Sequence, residues 1–190
     1  LHDDIGAGLT EISLVSQILE NKLPEPQRQK VQEEINQLGN TSRQLVRSMR
    51  DIVWLVHPER DSLHDLVLRL ADTNKPVFEA SGIDFQVENL ESLSDLKLGV
   101  ERRQHLYLIF KEAINNAVKY SGCKKLRLSV QVNKGHINLC LKDDGRGFEI
   151  SDAGQSNGLR NMRSRGEELG GQLLVESSPG QGCSVKFIGK

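Results

Sequence analysis

Apolar positions in the first third of the chain recur at alternating spacings of three and four. One series is Ile5, Leu9, Ile12, Ser16, Leu19 and Leu23; a second is Val31, Ile35, Leu38, Ser42, Leu45, Met49, Ile52 and Val56, closed by Pro58. This is the period of a coiled-coil seam. Asn21 to Pro26 interrupts it, so the spacing predicts an antiparallel helical hairpin of about 20 plus about 28 residues with a short connection. A lone hairpin leaves its apolar stripe half covered, and a second copy would complete a four-helix bundle. A homodimer is therefore expected. Ser16 and Ser42 are polar interruptions that weaken the seam slightly.

From Asp61 the pattern changes, and a second domain is expected, giving 1–60 as the hairpin and 61–190 as the rest. Ser62 can cap a helix carrying Leu63, Leu66, Val67 and Leu70; Pro76 and Gly82 then punctuate the approach to a strand over Ile83 to Val87. Leu106, Ile109, Phe110, Ala113, Ile114 and Ala117 predict one long helix over Val100 to Tyr120, ended by Ser121-Gly122. Alternating stretches at Leu126 to Val132 and Ile137 to Leu141 read as a hairpin turning through Asn133-Lys134-Gly135. A glycine-containing loop, Asp143 to Asn157, leads to a helix over Leu159 to Leu169. Two strands follow, Gln172 to Glu176 and Ser184 to Ile188, turning at Pro179 to Gly182. The fold class is α+β, the second domain being a two-layer sandwich of helices on an antiparallel or mixed sheet.

With 37% hydrophobic and 4% aromatic residues, the core must be aliphatic. A net charge of −1 gives no global positive field, so no nucleic acid partner is expected. Cys123, Cys140 and Cys183 are odd in number, widely spaced and lack a C-x-x-C pair, which suggests free thiols in a reducing compartment. No stretch approaches the roughly 20 apolar residues of a membrane helix, so no membrane contact by this chain is expected. Its start, Leu1-His2, already reads as helix interior and suggests a piece of a longer protein.

Three segments carry candidate chemistry. Asp143-Asp144-Gly145-Arg146-Gly147 follows a strand, where glycines permit close backbone approach to a ligand and a carboxylate can accept from an amino group; an ordinary acidic turn is the alternative. Gly158 and Leu159 open a helix whose unpaired N–H groups could receive phosphate oxygens, although Leu159 and Met162 at i and i+3 also suit a core. Glu112, Asn116 and Lys119 or Tyr120 can share one face of the long helix. Carboxylate and amide oxygens suit Mg²⁺ and an ammonium offsets phosphate charge, while a solvated charged face is the competing reading.

Together, Glu112 to Tyr120, Asp143 to Phe148, Gly158 to Arg165, Leu169-Gly-Gly171 and Ser178-Pro-Gly180-Gln-Gly182 resemble, in order, the nucleotide-binding boxes of sensor histidine kinases. His2-Asp3-Asp4-Ile5-Gly6 is similar to the phosphoacceptor box of the subfamily in which aspartate follows the histidine, as are Asp51 to Trp54 and His57-Pro58-Glu59. The resemblance covers nearly the whole chain. It implies an ATP-binding α/β sandwich of the GHKL type, with Asp143 bonding the adenine amino group, Asn116 on Mg²⁺ and Glu112 supporting the metal or its waters. It further implies Lys119 and Tyr120 at phosphates or ribose, Gly145, Gly147 and Gly158 permitting close backbone approach, and Phe148 to Asn157 as a lid. His2 would accept the phosphoryl group with Asp3 orienting the ring, and the partner would be a response-regulator receiver domain. The location implied is a cytoplasmic portion, with room for a membrane-anchored sensor in the longer protein.

Heptad counting alone places His2 in line with Leu9 and Ser16, a seam position, and Asp3, adjacent on a helix, can reach its ring only at a helix edge or from another rotamer. His57, His64, His105 and His136 read as surface or satisfied structural residues. Ala7 stands where the subfamily has a glutamine associated with dephosphorylation, so phosphatase activity is not expected. Cys183 stands where threonine is common. The rival functions are an ATPase or serine kinase of the wider nucleotide-binding superfamily, which needs no His2 hairpin, and a nucleotide-sensing dimerisation module without transfer activity.

Overall fold

A computed structural model describes residues 2–22, 24–56, 61–93, 96–150 and 157–190; the side chains of 2–6, 20, 25–30, 56 and 91–92 are outside that description. Leu23, His57, Pro58, Glu59 and residues 151–156 of the expected lid also lie outside it. The chain divides into two compact units, Leu1–Pro58 and Glu59–Lys190.

The first unit is the helical hairpin, α1 (His2–Lys22) and α2 (Glu25–Val56). α2 starts earlier than the interruption suggested. Pro26 is its second residue, and a proline in the first turn forfeits no helical hydrogen bond because those N–H groups have no intrahelical acceptor. The apolar seam divides into two lines. Ile35 and the serines Ser16 and Ser42 are buried, and the Ser42 hydroxyl donates across the hairpin to the Leu9 carbonyl. Val31, Leu38, Leu45 and Ile52, seven residues apart, stay 38%, 50%, 46% and 53% exposed. On α1, Ile12 and Leu19 are likewise exposed. The serines thus sit where the two helices meet, and large apolar side chains line a face that the single chain leaves open.

The second unit runs α3 (Leu63–Ser81), β1 (Asp84–Glu88), a 3-10 turn (Leu90–Leu93), α4 (Val100–Asn116), β2 (Lys125–Asn133), β3 (His136–Asp143), α5 (Asn157–Glu168), β4 (Gln172–Ser177) and β5 (Cys183–Gly189). The sheet is mixed, in the order β1-β2-β3-β5-β4, with β1 and β2 parallel and the other pairs antiparallel. Leu126, Leu128 and Val130 of β2, Ile137, Leu139 and Leu141 of β3, and Val185 and Phe187 of β5 are buried; the period of two sets them on one face. Leu63, Leu66, Val67 and Leu70 of α3 and Leu106, Ile109, Phe110 and Ile114 of α4 supply the buried helical layer. Among the described residues no helix is long and apolar enough to cross a membrane.

Ser62 caps α3 reciprocally with Asp65: its hydroxyl receives the Asp65 N–H at 3.0 Å. Pro76 does not end this helix, which continues to Ser81 and Gly82. Pro76 is exposed, so the carbonyl it deprives can be hydrated, while buried Asn74 and Phe78 hold the other side, Phe78 stacking on Phe85 at 4.6 Å. The Lys134-Gly135 turn has positive φ at both residues, 49° and 78°, matching the right-handed twist of β2 and β3.

Candidate functional site

β3 carries Ile137, Leu139 and Leu141 toward the helices, and the alternation places Asp143 next in that buried row. A carboxylate therefore occupies a core position, 6% exposed. Its Oδ1 accepts the Gly145 N–H at 2.9 Å. Burial lifts its carboxyl above the usual range, and backbone N–H groups of Gly145 and Cys183 offset this in part. The exposed Asp144 behaves oppositely: its Oδ1 accepts the Lys124 and Lys125 N–H groups, both at 2.8 Å, and its carboxyl lies below the usual range, chiefly through the Lys125 bond.

The helical wall departs from the single long helix expected over Val100 to Tyr120. α4 ends at Asn116, and Ala117–Ser121 forms a π-helical turn, a local widening frequent at functional sites. The Ser121 hydroxyl donates to the Ala117 carbonyl at 2.7 Å and accepts the Cys123 N–H at 3.0 Å. The Ser121 carbonyl is thereby presented to the Arg146 N–H at 2.9 Å, joining the end of this helix to the glycine turn after β3.

Between these walls lies a cavity of about 500 Å³. Leu141, Asp143, Cys183 and Val185 line it from the sheet, Ala113 and Ala117 from α4 and its extension, Leu159 and Met162 from α5. This is an apolar slot with one buried carboxylate. The Cys183 thiol, beside Asp143, is pushed up to about 11, mainly by burial, and so stays neutral at physiological pH. Glu112, Asn116 and Gly158 form a polar cluster in the same cavity: a β-carbon on Gly158 would meet Glu112 Oε1 at 2.5 Å and Asn116 Nδ2 at 3.7 Å. Gly147, with φ 61°, comes so near Ser178 that a β-carbon would lie 2.0 Å from its carbonyl oxygen.

Of the residues singled out by sequence, Glu112, Asn116, Tyr120, Asp143, Gly147, Gly158 and Leu159 all line this one cavity. Gly145 lies behind the lining, packed against Ser121 and Asp143, and Lys119 is exposed outside it. His2 and Asp3 begin α1, and their side chains are outside the description. His105 bridges α4 to α5, its Nδ1 3.4 Å from Glu168 Oε2. Lining residues not assigned from sequence are Ser121, Arg146 and the apolar ones other than Leu159. Ala113 and Ala117 were legible only as core, one helical turn apart; what sets them apart is small side chains facing the cavity.

An apolar slot with one buried carboxylate acceptor has the chemistry to receive a flat heteroaromatic ring bearing an amino group. At the polar end, one carboxylate and one amide suit Mg²⁺ shared with phosphate oxygens and waters. Among the described residues no three His, Cys, Asp or Glu side chains gather into a metal cluster, so such an ion would depend on its ligand's oxygens.

Residues 101–188 match the family of histidine kinase-, DNA gyrase B- and HSP90-like ATPases, and residues 1–61 match a histidine kinase family. Together the two matches support a histidine kinase. Curated relatives of this chain include the sensor protein VraS of Staphylococcus haemolyticus and that of Staphylococcus aureus strain COL. Each is 26% identical over 191 residues, which is 98% of this chain and 52% of the relative. The chain thus spans about half the length of these curated relatives. Its fold is similar to the histidine kinase domain of the Erythrobacter litoralis EL346 blue-light activated kinase, with a TM-score of 0.58 at 17% identity over 94% of both chains. Full-length ShkA in complex with AMPPNP gives 0.64 at 19% identity, covering 100% of this chain and 44% of that chain.

Proposed function

We propose that this chain is the ATP-dependent autokinase core of a two-component system. Residues 1–60 form the dimerising phosphoacceptor hairpin and 61–190 the ATP-binding domain. The observation that carries this is the single cavity holding buried Asp143 in an apolar slot together with the Glu112, Asn116 and Gly158 cluster. A structural neighbour's complex with AMPPNP supports a nucleoside triphosphate as its ligand. Asp143 accepts from the adenine amino group, while Asn116 and Glu112 hold Mg²⁺ or its waters. Bound Mg²⁺ supplies charge neutralisation on the phosphate oxygens. Lys119 and Tyr120 serve the phosphate or ribose side.

A ring nitrogen of His2 then forms a bond to the γ-phosphorus as the bond to the bridging oxygen breaks and ADP leaves with the electron pair. Asp3 orients the imidazole and takes its proton. In the second step an aspartate oxygen of a response-regulator receiver domain bonds the phosphorus, and the N–P electrons return to the ring as it takes back its proton. The exposed Ala7 offers water no hydrogen bond, so the phosphorylated partner is expected to persist. The exposed heptad line of Val31, Leu38, Leu45 and Ile52 supports a homodimer as the working form. The location proposed is the cytoplasmic portion of a sensor.

The test is incubation with γ-labelled ATP and Mg²⁺. The expected label is acid-labile, base-stable, absent from His2→Gln and transferable to a receiver aspartate. Label surviving acid would indicate a hydroxyl acceptor, and ATP binding without transfer would indicate a nucleotide-sensing module.

A further inference from the structure

The turn from Gly145 to Gly147 presents one side chain, that of Arg146. Its neighbours have no room for a β-carbon, which would lie 2.5 Å from the Ser121 carbonyl oxygen at Gly145 and 2.0 Å from that of Ser178 at Gly147. Arg146 is also tied through its own main chain. Its N–H donates to Ser121 at 2.9 Å, and its carbonyl accepts from the Gly180 N–H at 2.6 Å. Its Cα is thus fixed, and its side chain lines the cavity with Tyr120 and Phe148.

Two other exposed arginines are engaged, Arg127 with Glu88 at 2.9 Å and Arg160 with Asn157 at 2.9 Å. Among the described residues the Arg146 guanidinium has no hydrogen bond or ion pair. Its place along the cavity is set by Gly145, where a β-carbon would touch Asp143 Oδ1 at 2.9 Å. Glu112 and Asn116 lie on the last turns of α4, beside Gly158.

We propose that Arg146 is a base-recognition residue, its guanidinium packing on the exposed part of the purine whose amino group Asp143 accepts. This rests on the ATP reading of the cavity. A guanidinium is planar, weakly hydrated and stacks on aromatic surfaces, whereas an ammonium is a hydrated point charge. A rigid turn delivers it without ordering a loop, so its contribution belongs to the base and is the same for every adenine ligand.

The test is displacement of a fluorescent ATP analogue from the full chain by ATP and by adenosine, for wild type, Arg146→Ala, Arg146→Lys and Asp143→Asn. Arg146→Ala is expected to weaken ATP and adenosine by the same factor, roughly five- to tenfold. Arg146→Lys should lie between, and neither should move the ligand-free unfolding midpoint, since the turn is held by main chain. A loss confined to ATP would make Arg146 a phosphate contact and overturn the proposal, as would no loss for either ligand. Wild-type protein that bound neither ligand, or Asp143→Asn that bound both normally, would instead overturn the ATP reading itself.

Discussion

Gly158 lies so close to Glu112 that a β-carbon on it would come within 2.5 Å of Glu112 Oε1. Alanine would favour the helix that Gly158 helps to open by about 0.5 to 1 kcal/mol, so any functional loss in Gly158→Ala is steric. The substitution is expected to lower Mg-ATP affinity about tenfold or more, by titration calorimetry, with unchanged helicity. Combining it with Glu112→Ala should restore room but not affinity.

The buried Asp143 carboxyl titrates above the usual range, so the folded protein holds that proton more tightly than the unfolded chain. The sign follows. Charging Asp143 costs stability, and its contribution improves as pH falls through the raised value, while adenine binding, which the proposed role assigns to the carboxylate, is expected to weaken over the same interval. Asp143→Asn should therefore abolish most ATP binding without lowering the thermal midpoint at neutral pH. A clearly lower midpoint would show that its bonds to Gly145 and Cys183 outweigh its burial.

Asn116 is expected to act through the metal rather than the base. Asn116→Ala should remove the gain in ATP affinity that Mg²⁺ provides while leaving affinity in EDTA within about twofold. Paired titrations with and without Mg²⁺ check this, and equal losses in both would sever Asn116 from the ion.

Leu38 and Leu45 lie on the open heptad line of α2. Each apolar side chain buried there contributes about 1.5 to 3 kcal/mol. Leu38→Glu with Leu45→Glu should give a monomer in sedimentation experiments and retain ATP binding. A dimer of undiminished stability would place the interface elsewhere.

The Ser62 cap is separable from the site. Ser62→Ala should destabilise the ATP-binding unit by about 1 kcal/mol in denaturant unfolding, with ATP affinity kept.

Strands were legible to within a residue or two, because Leu126, Leu128 and Val130 against Ile137, Leu139 and Leu141 alternate cleanly. Pro76 misled because local propensity says nothing of which side of a helix meets water. The π-helical turn at Ala117 had no sequence mark; it is tied to the rest of the fold by a bond from Arg146 to Ser121 that joins residues far apart in the chain. Ser16 and Ser42 read as defects in the seam, yet they are the buried contact residues, and only the packed hairpin tells its two lines apart. Fully buried Arg103, with Asp61 and Asp65 nearby to offset part of its desolvation, gave no signal, because an arginine in a helix is ordinarily solvated. The cavity was legible as motifs; its apolar lining read simply as core.

Behind the Arg146 end of that cavity stands a frame of main chain. Ser121, Arg146, Ser178 and Gly180 meet through peptide groups, and Gly182 brings its Cα so near Asp143 that a β-carbon would lie 2.1 Å from the Asp143 carbonyl oxygen. Peptide groups locked in this way have no rotamers to lose. That frame is ordered before any ligand arrives, so the conformational cost of binding falls on the side chains that line the cavity, Arg146 among them.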